Sequence, residues 1–294
     1  MEICALCDKR RELQLSHIVP KFVFTWHKKN TSNHLRSSEE PNKRVQDGLK
    51  EYLLCCECEQ KFSSWEDKFA REVFRPINKG DFQKTKYSDW ALKFAVSVSF
   101  RALTYYKRKG LSHFSSEQLQ EAEIALQEWK EFLLGNQPHP GKYEQHLIPL
   151  DVIESHSIPN PSPFFNRYIT STVDTDPIAG DRVAFIYVKM FKCLLIGHIK
   201  QDKQLWRETK IHVKNGIAGG KVNYAVPDYL FEYMNNKANH VFSLGDNISP
   251  TQKSKIAESF DSNLDKIINS PVGEGIVYDF KHSGESAFNS NRKK

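Results

Sequence analysis

No stretch of this 294-residue chain approaches the roughly 18 consecutive apolar residues that a membrane helix needs, so no membrane contact is expected. An apolar leader is missing too. The first dozen residues mix Cys, Asp, Arg and Glu, and the expected location is the cytoplasm. There is no internal repeat. The glycines of "AGDRVAF" and "NGIAGGKV" fit neither a Walker nor a Rossmann spacing and read as turns. No nucleophile elbow is present, which leaves Ser/His/Asp and Cys/His hydrolase chemistry without support. Cysteine is scarce: Cys4, Cys7, Cys55, Cys56, Cys58 and Cys193 are the six, and in a cytosolic chain they argue against a disulfide framework.

What is present describes a soluble globular protein, with 39% hydrophobic and 27% charged residues and length enough for two domains. The net charge of +6 admits an acidic partner such as nucleic acid without requiring one. Residues 1–90 hold 17 Lys+Arg against 14 Asp+Glu, a balance of +3, so the excess is spread along the chain rather than gathered in a tail.

The pattern along the chain predicts an α+β protein. Residues 1–26 read as a cysteine knuckle and an extended segment, "LQLSHIVPKFVF", and His27–Gly48 as a polar, exposed loop. A short strand is expected at Leu49–Leu54. A helix follows from Cys58, carrying Phe62, Trp65, Phe69 and Val73, and Pro76 should stop it. Two further helices are expected. One runs from a Ser88 cap to Gly110 and is apolar nearly all round; the other has a Ser115/Gln118 capping box and a stripe of Leu119, Ala122, Leu126, Trp129 and Leu133. Beyond the Pro-rich stretch 138–163, "RYITSTV", "DRVAFIYVKM", "KCLLIGHI" and "TKIHV" read as strands of an antiparallel sheet. "PDYLFEYMNN" reads as a short helix. Another starts at Ser249-Pro250 with Ile256, Phe260, Leu264 and Ile267 inward, and the tail 283–294 reads as disordered.

Five of the six cysteines fall within the first 58 residues, which points to a local use. Zinc takes four tetrahedral ligands, and two Cys-x-x-Cys turns supply them: Cys4/Cys7 and Cys55/Cys58, with 47 residues between the inner pair. Cys56 stands beside a ligand and is expected to be a spectator.

"CALC", "LSHIVPKF" and "LLCCECEQKF" together resemble the zinc-containing HNH (ββα-metal, treble-clef) endonucleases over about residues 1–75. The resemblance implies a small ββα-metal module at 1–80, followed by a helical segment and a mixed body at 81–294. It implies a structural Zn²⁺ on Cys4, Cys7, Cys55 and Cys58. A general base is implied at His17, with a catalytic Mg²⁺ or Mn²⁺ held by His17 and Glu59. The activity implied is hydrolysis of DNA phosphodiesters, double-stranded DNA first and RNA second. Lys21, Lys28, Lys29, Arg36, Lys43 and Arg44 would neutralise phosphates. Fusion of such a head to a larger body would suit a bacterial anti-phage effector whose body binds a protein partner or regulatory ligand. The chain also departs from the family pattern. Ser16 replaces the usual Asp before the histidine, Lys50, Glu51 and Tyr52 fill the region of the usual Asn, and a third metal-binding histidine is absent. Glu66, seven residues beyond Glu59, is expected to pair with Arg71 or Lys68. The alternative function is a catalytically inactive, zinc-stabilised nucleic-acid-binding or adaptor protein.

Overall fold

The computed structural model describes residues 1–31, 35–81, 84–153, 160–202, 206–219 and 224–288, and these form helices with small antiparallel sheets, the expected α+β class. Strand β1 (Leu13–His17) ends at an Ile-Val-Pro turn, and helix α1 (Lys21–Asn30) follows at once. This corrects the extended segment and loop expected here. Pro20 cannot prolong a paired strand, its carbonyl receives the Val23 N–H at 3.1 Å, and Val23, Phe24, Trp26 and His27 are then buried. Strand β2 (Lys50–Cys55) pairs antiparallel with β1, and helix α2 (Cys56–Phe69) starts directly from it.

Pro76 does not stop the helical path. Just ahead of it, over Ala70–Phe74, the ladder widens, with the Arg75 N–H bonding the Ala70 carbonyl, and a last turn runs to Asn78. The proline thus sits in the opening turn of a new segment, where its missing N–H costs nothing.

Helix α3 (Asp89–Lys109) is the apolar helix expected, buried without a break from Phe94 through Leu103. Helix α4 (Ser116–Leu134) opens with the Ser115/Gln118 capping box. Its buried stripe is Gln118, Ala122, Ala125, Trp129, Phe132 and Leu133, so the expected Ala122, Trp129 and Leu133 do face inward, whereas Leu119 is 41% exposed. The sheet has strand order β3-β6-β5-β4, all antiparallel: β3 (Gln145–Pro149), β4 (Val173–Ala179), β5 (Ala184–Met190) and β6 (Cys193–Lys200). β3 lies inside the Pro-rich stretch that the sequence pattern left unassigned. "TKIHV" contributes a single bridge, Lys210 to His146. "RYITS" is not strand but the buried helix α5 (Phe165–Ser171), where Tyr168 and Ile169 pack inward and tertiary burial outweighs β-propensity.

The remaining helices are α6 (Asp228–Ser243), α7 (Pro250–Asp261), α8 (Leu264–Ile268) and α9 (Pro271–Ser283). The single helix expected after Ser249 is broken at Ser262–Asn263. Of its four inward positions only Ile267 is buried, while Ile256 is 39% and Leu264 43% exposed. α9 closes on α5 at Gly275, where a Cβ would lie 2.3 Å from Thr170 Oγ1. Asp279 there accepts from Arg167 Nε at 2.8 Å and from the Asn166 N–H at 2.8 Å. Of the expected disordered tail, Gly284–Ala287 forms a turn with Ala287 buried, and residues 289–294 lie outside the described residues.

The chain divides into two compact units. One comprises Met1–Val23, Gly48–Pro149 and Val173–Ala225; the other comprises Phe24–Asp47, Leu150–Thr172 and Val226–Lys294. The first holds the β1–β2 hairpin, α2, α3, α4 and the four-stranded sheet. Within it the rings of Phe69 and Phe94 stack at 3.9 Å between centroids, and this stacking joins α2 to α3.

Candidate metal centre and hairpin site

Cys4 and Cys7 lie on a tight knuckle closed by Asp8 N–H to Cys4 carbonyl at 3.0 Å, with Asp8 itself at φ 55°. Ala5 N–H donates to the Leu53 carbonyl at 3.0 Å, which docks the knuckle on β2. Cys55 ends β2 and Cys58 lies in the first turn of α2, so both pairs converge. The four Sγ atoms lie within 4.8 Å of one another, and Cys7 and Cys55 approach to 3.9 Å. A tetrahedral zinc with Zn–S near 2.3 Å requires S···S edges of about 3.8 Å. The set fits a structural metal ion.

The thiols shift one another unequally, and Cys7 is raised by burial. Cys4 is buried, yet its thiol is pulled down to about 4 by the hydrogen bond from Cys58, with backbone donors adding to it, while Cys58 is pushed up by the same pairing. The Cys55 N–H points at Cys4 Sγ at 3.3 Å. Cys56 is exposed and outside the cluster, as expected of a spectator.

The hairpin above the cysteines carries the other expected site residues. Ser16 is buried, and its hydroxyl donates to Glu59 Oε1 on α2. The structure therefore brings Glu59 to Ser16, and strand alternation turns His17 toward the other face, so the described contacts do not bring together the His17–Glu59 pair expected to share a cation. His17 itself is half-buried at the end of β1, opposite Lys50 in the β-ladder.

Glu66 pairs with neither Arg71 nor Lys68, the two partners expected of it. Arg71 bonds Glu72, and Glu66 instead receives Arg101 Nη2 at 2.6 Å. Arg101 comes from α3, is buried, and reaches the hairpin as well: Nη1 donates to the His17 carbonyl at 2.9 Å, and the guanidinium lies 5.5 Å from the Phe62 ring centroid. One charged side chain thus ties β1, α2 and α3 together. The sequence signal was there, since an arginine within the apolar run "SVSFRAL" must find a partner.

Of the six cations expected to meet phosphate, Lys21, Lys28, Lys29, Lys43 and Arg44 are exposed. Arg36 is bound to the Pro41 carbonyl at 2.8 Å and to Gln252 Oε1 at 3.0 Å. Lys43 pairs with Glu40 at 2.9 Å. Lys21 belongs to the unit of the hairpin, and the other five fall in the second unit.

A second polar cluster, not foreseen from the sequence, lies in the sheet. His146 on β3, His198 on β6 and Trp206 have ring centroids 4.8–5.0 Å apart. His146 Nδ1 meets Thr209 Oγ1 at 2.8 Å, and its Nε2 stands 3.5 Å from Glu144 Oε2. Among the described residues, both ring nitrogens of His198, together with His146 Nε2 and Trp206 Nε1, are buried without a hydrogen-bond partner. Burial pulls the His198 imidazole down to about 3, and His146 is lowered for the same reason. The donor atoms of this cluster do not converge as the thiols do, and the cysteines are the one metal-competent group among the described residues.

No family model, no curated protein and no solved structure matches this chain. No helix among the described residues is long and apolar enough to cross a membrane.

Proposed function

We propose that the protein is a metal-dependent endonuclease that hydrolyses phosphodiester bonds, DNA ahead of RNA, with zinc as the structural ion of its N-terminal module. One observation carries this reading. A hairpin and a helix closed at their base by four cysteines hold Glu59 against Ser16, the neighbour of His17, and Arg101 fixes the His17 backbone. Four thiolates saturate zinc, which leaves that ion no position for water or phosphate. His17 is the group suited to take the proton of the attacking water, because an imidazole exchanges protons near neutrality. The water oxygen bonds to phosphorus, one P–O ester bond breaks, and the leaving oxygen takes a proton from solvent. Glu59 supplies a hard oxygen ligand, and a Mg²⁺ or Mn²⁺ ion bound there would neutralise charge on the scissile phosphate. Protein ligands for it are few, since Ser16 replaces a carboxylate, so Mn²⁺ should serve better than Mg²⁺.

The test incubates the purified protein with plasmid, single-stranded DNA and RNA in Mg²⁺ or Mn²⁺, alongside His17→Ala and Glu59→Ala. Brief EDTA treatment and desalting should leave zinc in place and abolish cleavage, with Mn²⁺ restoring it. Both variants should stay folded and inactive. Cleavage by His17→Ala at the parent rate refutes the reading. The Ser16 and Lys50 departures favour the second reading, an inactive zinc-stabilised module that binds nucleic acid or a protein partner. A role in bacterial defence rests on architecture alone, a small module joined to a larger body.

A further inference from the structure

The two strands of the hairpin present different chemistry on their two faces. Ser16 and Glu51 are cross-strand partners, and Ser16 looks toward α2, where it meets Glu59. The pairs on either side, Leu15 with Tyr52 and His17 with Lys50, are two residues apart on both strands and so share the opposite face. On that face Leu15 is 48% and Tyr52 55% exposed.

This exposure is built into the strand. Gln14 pairs with Leu54 and Leu15 with Tyr52, so Leu53 is the extra residue of a β-bulge. In an unbroken strand Tyr52 would share the inward phase of Leu54. The bulge instead buries Leu53 and Leu54 in succession and turns Tyr52 outward. Arg108 of α3 donates from Nη1 to the Tyr52 carbonyl at 2.9 Å, which sets its guanidinium along the backbone of β2. Glu51, the nearby carboxylate, lies 3.9 Å from Arg108 and from Lys109, and its strand position places it on the other face.

We propose that this face, Tyr52 and Leu15 beside Lys50 and His17 with Arg108 at the strand backbone, is a stacking platform for one unpaired base of a nucleic-acid strand. The substrate class is then single-stranded or locally opened nucleic acid rather than intact duplex. The proposal rests on the nucleic-acid reading above and adds to it how the strand is presented. An aromatic ring with cations beside it binds any base through its π-face while the cations meet the adjoining phosphates. In a closed duplex those π-faces are buried in the base stack. The platform is two side chains wide, the size of one base and well below the several hundred Å² that a protein-docking patch occupies.

The experiment measures binding rather than cleavage, by fluorescence anisotropy of a labelled oligothymidylate and of a duplex of equal length, in EDTA with zinc content checked afterwards. The parent should prefer the single strand. Tyr52→Ala should weaken that binding about tenfold and leave duplex binding unchanged, while Tyr52→Phe should keep most of the affinity, because only the ring is needed. Lys50→Ala and Arg108→Ala should flatten the dependence of log K on log salt, each by about one charge. Tyr52 is exposed, so the variants should fold, and circular dichroism checks this. The proposal is overturned if Tyr52→Ala binds the single strand as the parent does, or if single-strand and duplex affinities fall together. It is also overturned if the parent binds no single strand, even where Mn²⁺-dependent cleavage of duplex shows the nuclease reading to be right. Single-strand binding lost in Tyr52→Ala by a protein that cuts nothing supports the platform and sinks the nuclease reading.

Discussion

The hairpin region and the four-stranded sheet belong to one unit, yet they treat buried polar groups in opposite ways. Around the hairpin nearly every such group is answered: thiols face thiols, Ser16 meets Glu59, and Arg101 meets both Glu66 and the His17 carbonyl. Beside the sheet, among the described residues, His198 has no hydrogen-bond partner for either ring nitrogen and Trp206 has none for Nε1, while His146 Nε2 has only the Glu144 carboxylate at 3.5 Å. Where donors converge, a charge can be held. Where they do not, as at His198, burial opposes the charged form. The hairpin is thus tied by an ion pair and a thiol cluster fit for a metal, whereas the histidine cluster beside the sheet is held chiefly by ring packing.

Removing the metal should produce the largest contrast between them. Cys4→Ser or Cys58→Ser should strip the ion and unfold the hairpin, since structural zinc contributes on the order of 10 kcal/mol to small modules. Amide exchange read residue by residue should show protection lost over Cys4–Cys58 and kept over β4, β5 and β6. A zinc-free protein with a protected hairpin would break the comparison. The next effect belongs to Arg101. Arg101→Ala leaves Glu66 and the His17 carbonyl without their donor and should cost about 3–5 kcal/mol in urea unfolding. Recovery of at least half of this in the double variant Arg101→Met, Glu66→Leu would show the loss to be stranded charge rather than lost packing.

Acid should strike the sheet. The folded His198 imidazole sits at about 3, below the ordinary 6.5, so between these values the unfolded chain binds more protons. Stability is therefore complete above pH 6.5 and falls as pH drops toward 3, by about 1.4 kcal/mol per unit for this one histidine. Urea midpoints measured from pH 7.5 to 4.5 should show the slope, and His198→Phe should reduce it; an unchanged slope in that variant would mean that other groups carry it. The smallest effect is at the surface. Lys107 and Glu123 pair at 2.5 Å with both side chains about half exposed, and Lys107→Ala should change stability by less than about 1 kcal/mol.

The parts of this structure that were legible in the sequence are those fixed by local chemistry. Two Cys-x-x-Cys turns have one good use for a metal, and Ser115 with Gln118 forms its capping box within four residues. The runs at β5 and β6 are long enough to be strands in any context. The parts that were not legible depend on distant partners. "RYITS" is rich in β-formers but is covered by α9, whose Gly275 allows close approach, and a helix wins there. Leu119 yields its inward place to Gln118, because the Gln118 amide reaches the Gly180 carbonyl at 2.6 Å across the unit. Glu66 was matched to its sequence neighbours when its partner lay 35 residues away. In the site itself the cysteine cluster could be anticipated, whereas the Ser16–Glu59 contact was not. Tyr52 could not, because its outward phase comes from a bulge that no residue type announces.

The division of the chain into interleaved segments bears on how it is made. The backbone changes unit after Val23, Asp47, Pro149, Thr172 and Ala225, so neither unit is a continuous stretch that could finish folding by itself. During synthesis all four cysteines have emerged once Cys58 has cleared the ribosome, and a metal ion can close the hairpin while most of the protein is still unmade. The sheet must wait: β3 gains its ladder partner only when β6, ending at Lys200, arrives. That pairing joins strands more than forty residues apart, whereas the four thiols are all in hand by residue 58.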